Sequence, residues 1–277
     1  MRKLAIGTVV SGALALSALA VPAAQAATPD LVFADMVVNK GKTIVAGTTA
    51  EVTVPVTYSL TRPTDLTIDY ENNFAGVLLY RGTLSEQDNS ILNANVPTCT
   101  TTATTDTTVT ESCSGTFTID PSFDLFEAAD ATTWKVGGWY GHATVDLDDS
   151  DDQVSVESGY SMWGNKGTAK IQRAAKLTAN ASPEPVKKGK TITVTGKLTR
   201  ANWETGKYSG YVSQKATLQF RAKGSDTYST VKTATSSTGG YLKSTVTASK
   251  DGYYRYVFAG TTTTAAAKAT GDYIDVQ

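Results

Sequence analysis

The chain has 277 residues, a formal net charge of -1, one His, two Cys and three Met. That length suits one large or two ordinary domains, and so few soft ligands exclude zinc or copper centres built from several His, Cys or Met side chains. The near-neutral sum argues against a polyanion binder unless it conceals opposite charges in different halves.

The chain opens as an export signal. Met1-Arg2-Lys3 is positive, residues 4–20 are apolar apart from Gly, Ser and Thr, and Ala24-Gln25-Ala26 supplies a small-x-small cleavage site, so residues 1–26 are predicted to be a signal peptide. No later stretch approaches the roughly 20 apolar residues of a membrane span, and the final Tyr273-Ile274-Asp275-Val276-Gln277 carries no sorting motif. The expectation is a secreted protein, extracellular or associated with the cell wall, without a transmembrane anchor.

Alternating β-branched segments separated by turn residues predict strands at 31–38, 51–60, 76–81, 115–119, 134–147 and 154–171. A helical turn is expected at 123–129, after Asp120-Pro121-Ser122, where the chain crosses between sheets. Cys99 and Cys113 enclose a Thr-rich stretch, and in an oxidising compartment they read most simply as a disulfide clipping a long hairpin or loop. Beyond residue 172, Ile192, Val194 and Leu198 alternate with Thr193, Thr195, Lys197 and Thr199, and further strands are expected at 227–233, 242–248, 253–259 and 272–276. Short strands at this density suit an immunoglobulin-like sandwich. The predicted fold is therefore all-β: two tandem immunoglobulin-like β-sandwich domains, at 27–172 and 173–277, after the signal peptide.

Lys40-Gly41-Lys42-Thr43-Ile44 recurs as Lys188-Gly189-Lys190-Thr191-Ile192, an internal echo consistent with two related modules. It is not a phosphate loop, because the upstream Gly is missing and no helix follows. Asp130-Ala131-Thr132-Thr133-Trp134 and Asp251-Gly252-Tyr253-Tyr254 both echo the corner sequence of immunoglobulin folds. Lys188-Gly189-Lys190-Thr191, Phe220-Arg221-Ala222-Lys223-Gly224 and the run from Asp251 to Gly260 resemble secreted immunoglobulin-like proteins of streptomycete-type actinobacteria, some of them labelled calcium-binding. The resemblance implies fold and export more than function.

Residues 27–172 carry 20 acidic against 7 basic side chains, a net of -13, whereas 173–277 carry 6 against 16, a net of +10. The overall neutrality is a cancellation. A basic exported domain suits an extracellular or cell-wall ligand such as an anionic polymer or polysaccharide. If Tyr254, Tyr256 and Phe258 face inward, then Arg255 faces outward beside Arg221 and Lys223, a candidate anion-binding group; the competing reading is a solvated face that protects strand edges. Nucleic acid is not expected, since no stacking motif accompanies the charge.

The acidic half holds Asp146-Leu147-Asp148-Asp149-Ser150-Asp151-Asp152. Read as a twelve-residue loop, Asp146, Asp148, Ser150, Asp152 and Glu157 fall on Ca2+ ligand positions, although Asp151 replaces the turn Gly and flanking helices are missing. The alternative is a solvated acidic turn. Trp203, Tyr208 and Tyr211 sit among Asn202, Glu204, Gly206, Lys207, Ser209 and Gly210, a predicted long loop whose aromatics could stack on sugar rings, as could Trp134, Trp139, Tyr140, Tyr160 and Trp163; core packing is the rival role.

No catalytic residues are assigned. His142 lies in a predicted strand, without a nucleophile elbow anywhere in the sequence. The reading is a non-catalytic binding or structural protein acting at the envelope or outside the cell, with a calcium-binding protein, a carbohydrate-binding module and an extracellular hydrolase or hydrolase inhibitor as alternatives.

Overall fold

Strict alternation of small polar and apolar side chains makes the second strand-forming segment a half-buried strand: Val54, Val56, Tyr58 and Leu60 are buried while Thr53, Pro55 and Thr57 are exposed. In the computed structural model, which describes residues 28–122, 126–148 and 153–277, with backbone alone at 87–88, 144–148 and 153–157, this pattern builds two stacked-sheet units. The predicted signal peptide lies outside the described residues.

The first unit contains β1 (Val32–Val38), β2 (Ile44–Ala46), β3 (Val52–Pro63), β4 (Asn73–Gly82), β5 (Gln87–Leu92), β6 (Thr98–Thr104), β7 (Thr108–Ile119), β8 (Thr133–Asp148) and β9 (Gln153–Arg173). One sheet runs β1-β3-β7-β6; the other runs β2-β9-β8-β4-β5, with β2 parallel to β9 and the other pairs antiparallel. The chain crosses between sheets after β7, at a single turn of 3-10 helix, Ala128–Asp130. Residues 123–125 of the helical turn expected at 123–129 lie outside the described residues. This is the A-B-E-D sheet facing G-F-C-C′ of an immunoglobulin-like sandwich. Phe33, Phe117, Trp134, Val136 and Ile171 fill the space between the sheets.

The second unit contains β10 (Ala175–Leu177), β11 (Asn180–Ser182), β12 (Thr191–Asn202), β13 (Lys207–Gly210), β14 (Lys215–Ala222), β15 (Ser229–Thr235), β16 (Tyr241–Thr247), β17 (Gly252–Phe258), β18 (Ala267–Lys268) and β19 (Asp272–Ile274). β12 pairs with β10, β11, β13 and β16, and the facing sheet runs β15-β14-β17 with β18 and β19 beyond. Ile192, Val194, Leu198, Leu218, Tyr256 and Ile274 form its core.

Two corners differ in kind. Trp134 donates its indole N–H to the Asp130 carbonyl at 2.9 Å, doing with an indole what a tyrosine hydroxyl does in related folds. In the second unit Tyr256 instead reaches across the sandwich, donating to the Val194 carbonyl at 2.9 Å. The internal echo also resolves into turn chemistry. Gly41 and Gly189 both sit at positive φ, +74° and +84°, but Gly41 precedes β2 and Gly189 precedes β12, strands in different places in the two sandwiches. The repeat therefore does not mark equivalent positions.

Cys99 and Cys113 form a disulfide directly across the β6–β7 ladder, with Cα atoms 4.1 Å apart. The clip joins neighbours within one sheet. Between the two units there is no free linker: Arg173 ends β9 and Ala175 begins β10. The junction is bonded on both sides, with Ala174 N–H donating to Ala46, Ala201 N–H to Ala174, and Gln172 Nε2 to the Thr261 carbonyl at 2.7 Å.

Candidate functional site

Alternation along β17 decides which side chains the second sandwich shows to solvent. Tyr254, Tyr256 and Phe258 are buried, so Tyr253, Arg255 and Val257 point outward. Antiparallel register then sets Arg221 opposite Tyr253, Gln219 opposite Arg255, and Tyr273 on the far side of Tyr253. Arg221, Lys223 and Arg255 thus come together on one outer face.

Each cation on that face has an aromatic seat. The Arg255 guanidinium lies 3.5 Å from the Tyr228 ring centre, Arg221 4.2 Å from that of Tyr253, and the Lys223 ammonium 5.6 Å from that of Tyr273. Arg255 Nε donates to Gln219 Oε1 at 2.9 Å, and Arg221 Nη1 to the Ser225 carbonyl at 2.5 Å. Lys223 is ion-paired with Asp251 at 3.4 Å. Asp251 is pulled below the usual carboxylate range by the Val276 N–H and then by the Tyr273 hydroxyl and Lys223. Lys223 thus already has an ion-pair partner, whereas neither guanidinium forms an ion pair among the described residues. Their stacking fixes flat, always-charged donors whose remaining N–H edges suit carboxylate, sulfate or phosphate oxygens.

A second exposed feature lies on the outer face of β8 and β9. Trp139 and Tyr160 rings sit 5.9 Å apart at 23°, and Tyr160 is 53% exposed. Trp139 donates to Asn93 Oδ1 at 3.0 Å and lies over Gly76, where a Cβ would stand only 2.8 Å from the indole nitrogen. The missing side chain at Gly76 leaves room for the Asn93 amide and the Trp139 indole. The sequence reading had Trp139 and Tyr160 in an undifferentiated group of aromatics; of that group Trp134 and Tyr140 are buried.

The loop aromatics require correction. Residues 203–206 form the turn of a β12–β13 hairpin, with Ala201 opposite Tyr208, and not a long open loop. Trp203 is buried against the first sandwich, edge-on to Phe126, and donates to the Gly47 carbonyl at 2.7 Å. Tyr208 packs against that same core beneath the Lys176 ammonium, 3.9 Å from its ring centre. Tyr211 stands edge-on to Phe258 under the Arg200 guanidinium at 4.1 Å. Trp203 and Tyr208 bury against the neighbouring sandwich, whereas Tyr211 packs against the core of its own.

The acidic stretch is also arranged differently from a twelve-residue loop. β8 and β9 pair continuously up to Asp148 opposite Gln153, which places Asp146 opposite Ser155 and Glu157 opposite Thr144 on a ladder. Ser150 and Asp152 lie outside the described residues, as do the side chains of Asp146, Asp148 and Glu157.

His142 is half-buried beside Tyr140, ring centres 5.9 Å apart, and its Nε2 has no hydrogen-bond partner among the described residues. The groove between β15 and β16, lined by Phe220, Val231, Lys232, Thr245 and Tyr254, among others, brings no carboxylate together with a nucleophile.

No protein-family model matches the chain, and no curated protein matches it. Among solved structures, the full ectodomain (Ig1–Ig3) of mouse nectin-like molecule 4 is similar at 13% identity and a TM-score of 0.22, covering 88% of this chain and 66% of that one. The chain thus spans just under two thirds of that ectodomain's length. The immunoglobulin-like assignment rests on the strand pairing and not on this likeness.

Proposed function

We propose that this is an exported, non-catalytic binding protein of the cell envelope or extracellular space, whose basic sheet face takes an anionic polysaccharide. The observation that carries the reading is the pair Arg221 and Arg255, held on tyrosine rings side by side on an exposed sheet within a half of net charge +10. Export is supported by the Cys99–Cys113 disulfide, which belongs to an oxidising compartment. No helix among the described residues is long and apolar enough to cross a membrane.

The test is retention of the mature chain on purified cell wall and on an immobilised anionic polysaccharide, measured against salt. Retention should fall as salt rises, because exposed charges are screened within about 10 Å at 0.1 M, and the double variant Arg221→Gln, Arg255→Gln should lose most of it. Retention that ignores both salt and the double variant sinks the reading. Preferential binding to anionic lipid vesicles would overturn the choice of a polysaccharide.

The exposed face of Tyr160, stacked with Trp139, favours a second reading, stacking of a neutral sugar ring on the first sandwich. Trp139→Ala would then reduce retention on a neutral glycan without altering its salt dependence.

A further inference from the structure

A buried positive charge sits where the two sandwiches meet. Arg173 is 6% exposed, and its Nε has no hydrogen-bond partner. No ion pair among the described residues involves either Arg173 or Arg200. Its backbone is fixed on both sides: β2 lies alongside at Ala46, and the 261–265 turn of the second sandwich bonds it through Arg173 N to the Thr263 carbonyl at 3.0 Å and Ala265 N to the Arg173 carbonyl at 2.9 Å. The side chain is therefore held at the junction.

Its surroundings add positive charge and unfilled hydrogen-bonding capacity. Arg200, half-buried at the inward end of β12, lies 4.1 Å above the Tyr211 ring, and the Tyr211 hydroxyl stands 3.5 Å from Thr261 Oγ1. Thr264 is fully buried; its hydroxyl makes no well-formed hydrogen bond and has the Tyr211 hydroxyl as its polar neighbour. Burial first, and then the like charge of Arg200, pushes the Arg173 guanidinium below its ordinary pKa; Glu204 acts in the opposite direction from a distance. Burial raises the Tyr211 hydroxyl, but Thr261, Thr264, Arg200 and Arg173 together pull it below its ordinary value, so the positive field reaches that oxygen. Glu204 is exposed and accepts a hydrogen bond from the Ala128 N–H at 2.8 Å.

A buried donor without an acceptor is rare enough to call for an explanation, and the Arg173 Nε is such a donor. Two arginines, a buried hydroxyl and a half-buried phenol gathered at one domain junction, with Arg173 bridged to Thr264 and Arg200 lying over Tyr211, are groups of the kind that recognise an oxyanion. We propose that Arg173 and Arg200, with Thr264 and Tyr211, bind a small oxyanion (phosphate, sulfate or carboxylate) at the junction between the sandwiches. Arg173 comes from the last strand of one sandwich and Arg200 from the first long strand of the other, so the bound anion would cross-link them. The site is separate from the Arg221–Arg255 face and does not depend on the function proposed for it.

The experiment follows thermal unfolding and calorimetric binding of the mature chain with inorganic phosphate, sulfate or acetate, each against chloride at matched ionic strength. At least one oxyanion should raise the unfolding midpoint progressively with concentration, as a ligand of the native state must, and the three arms decide which oxyanion chemistry is preferred. Arg200→Gln should weaken binding by about thirtyfold or more. Arg173→Met should abolish it and, in chloride alone, unfold no more readily than the parent. Arg221→Gln with Arg255→Gln should leave it unchanged. If the parent shows no oxyanion-specific shift, or if Arg200→Gln and Arg173→Met keep the full shift, the site does not exist and the charge is solvated by water alone. The Arg200 variant, at a half-exposed position, keeps the test valid should Arg173→Met fail to fold.

Discussion

The Trp203 indole N–H donates to the Gly47 carbonyl at 2.7 Å, so a ring carried by the second sandwich closes the core of the first. Deleting it opens a cavity in a unit to which the residue does not belong in sequence. Trp203→Ala should cost about 3–5 kcal/mol, read by chemical denaturation. Trp203→Phe should recover the packing against Phe126 but not the hydrogen bond. If Trp203→Ala unfolds like the parent, the junction is not packed as described.

Arg81 and Asp130 form a second internal pair, Nε to Oδ1 at 2.6 Å, with the Asp130 side chain 1% exposed. Burial pushes the Asp130 carboxyl up, against the opposing pull of the Glu127 N–H and Arg81. Arg81→Met should destabilise by about 3–5 kcal/mol near neutral pH, because it leaves a buried carboxylate uncompensated. A raised pKa means that the folded state holds the proton more tightly, so this deficit should shrink as pH falls. A deficit that grows on acidification contradicts the assignment.

Asp69 has the opposite sign. Its carboxylate accepts the N–H groups of Glu71, Asn72 and Asn73 at 3.0, 2.9 and 2.8 Å, and these bonds, the one from Asn73 foremost, hold its pKa at about 2. A depressed pKa contributes stability that is fully present above the unfolded value of about 3.9 and is lost as pH falls through about 2. The difference in denaturation midpoint between the parent and Asp69→Ala should therefore be largest above about pH 5 and narrow towards pH 2.

Replacing Cys99 and Cys113 together by Ala should cost roughly 3 kcal/mol, the loop-closure value for a ring of about 15 residues. Because the bond lies across one ladder, the β6–β7 hairpin should lose amide-exchange protection before the rest of the sandwich. Uniform loss of protection would mean that the clip supports the whole core.

The fold was legible where one face is buried and the other is wet. Ile192, Val194 and Leu198, and Tyr254, Tyr256 and Phe258, announce their strands because burial enforces a period of two. β6 shows no such signal: Thr98 and residues 100–104 are exposed throughout, so both faces carry Thr or Ala and the segment reads as a loop. The outward placement of Arg221 and Arg255 follows from the same parity. The junction was illegible for a different reason. Asn202, Glu204 and Gly206 describe the solvent side of the hairpin correctly, but the partner that buries Trp203 is about 150 residues away in the chain. Nor does Arg173 differ in sequence from any other Arg; only the closure of the 261–265 turn over it makes it unusual.

The bonded junction also governs how the chain can engage a long ligand. With β9 running into β10 through Ala174 alone, contacts made by the two sandwiches are separated by a set distance and not by a tether of adjustable reach. Effective concentration for a second contact is then high only for ligands whose repeat matches that span, and falls away for all others. If the proposed polymer binding holds, such a body would select by spacing as well as by charge, acting as a gauge along the chain.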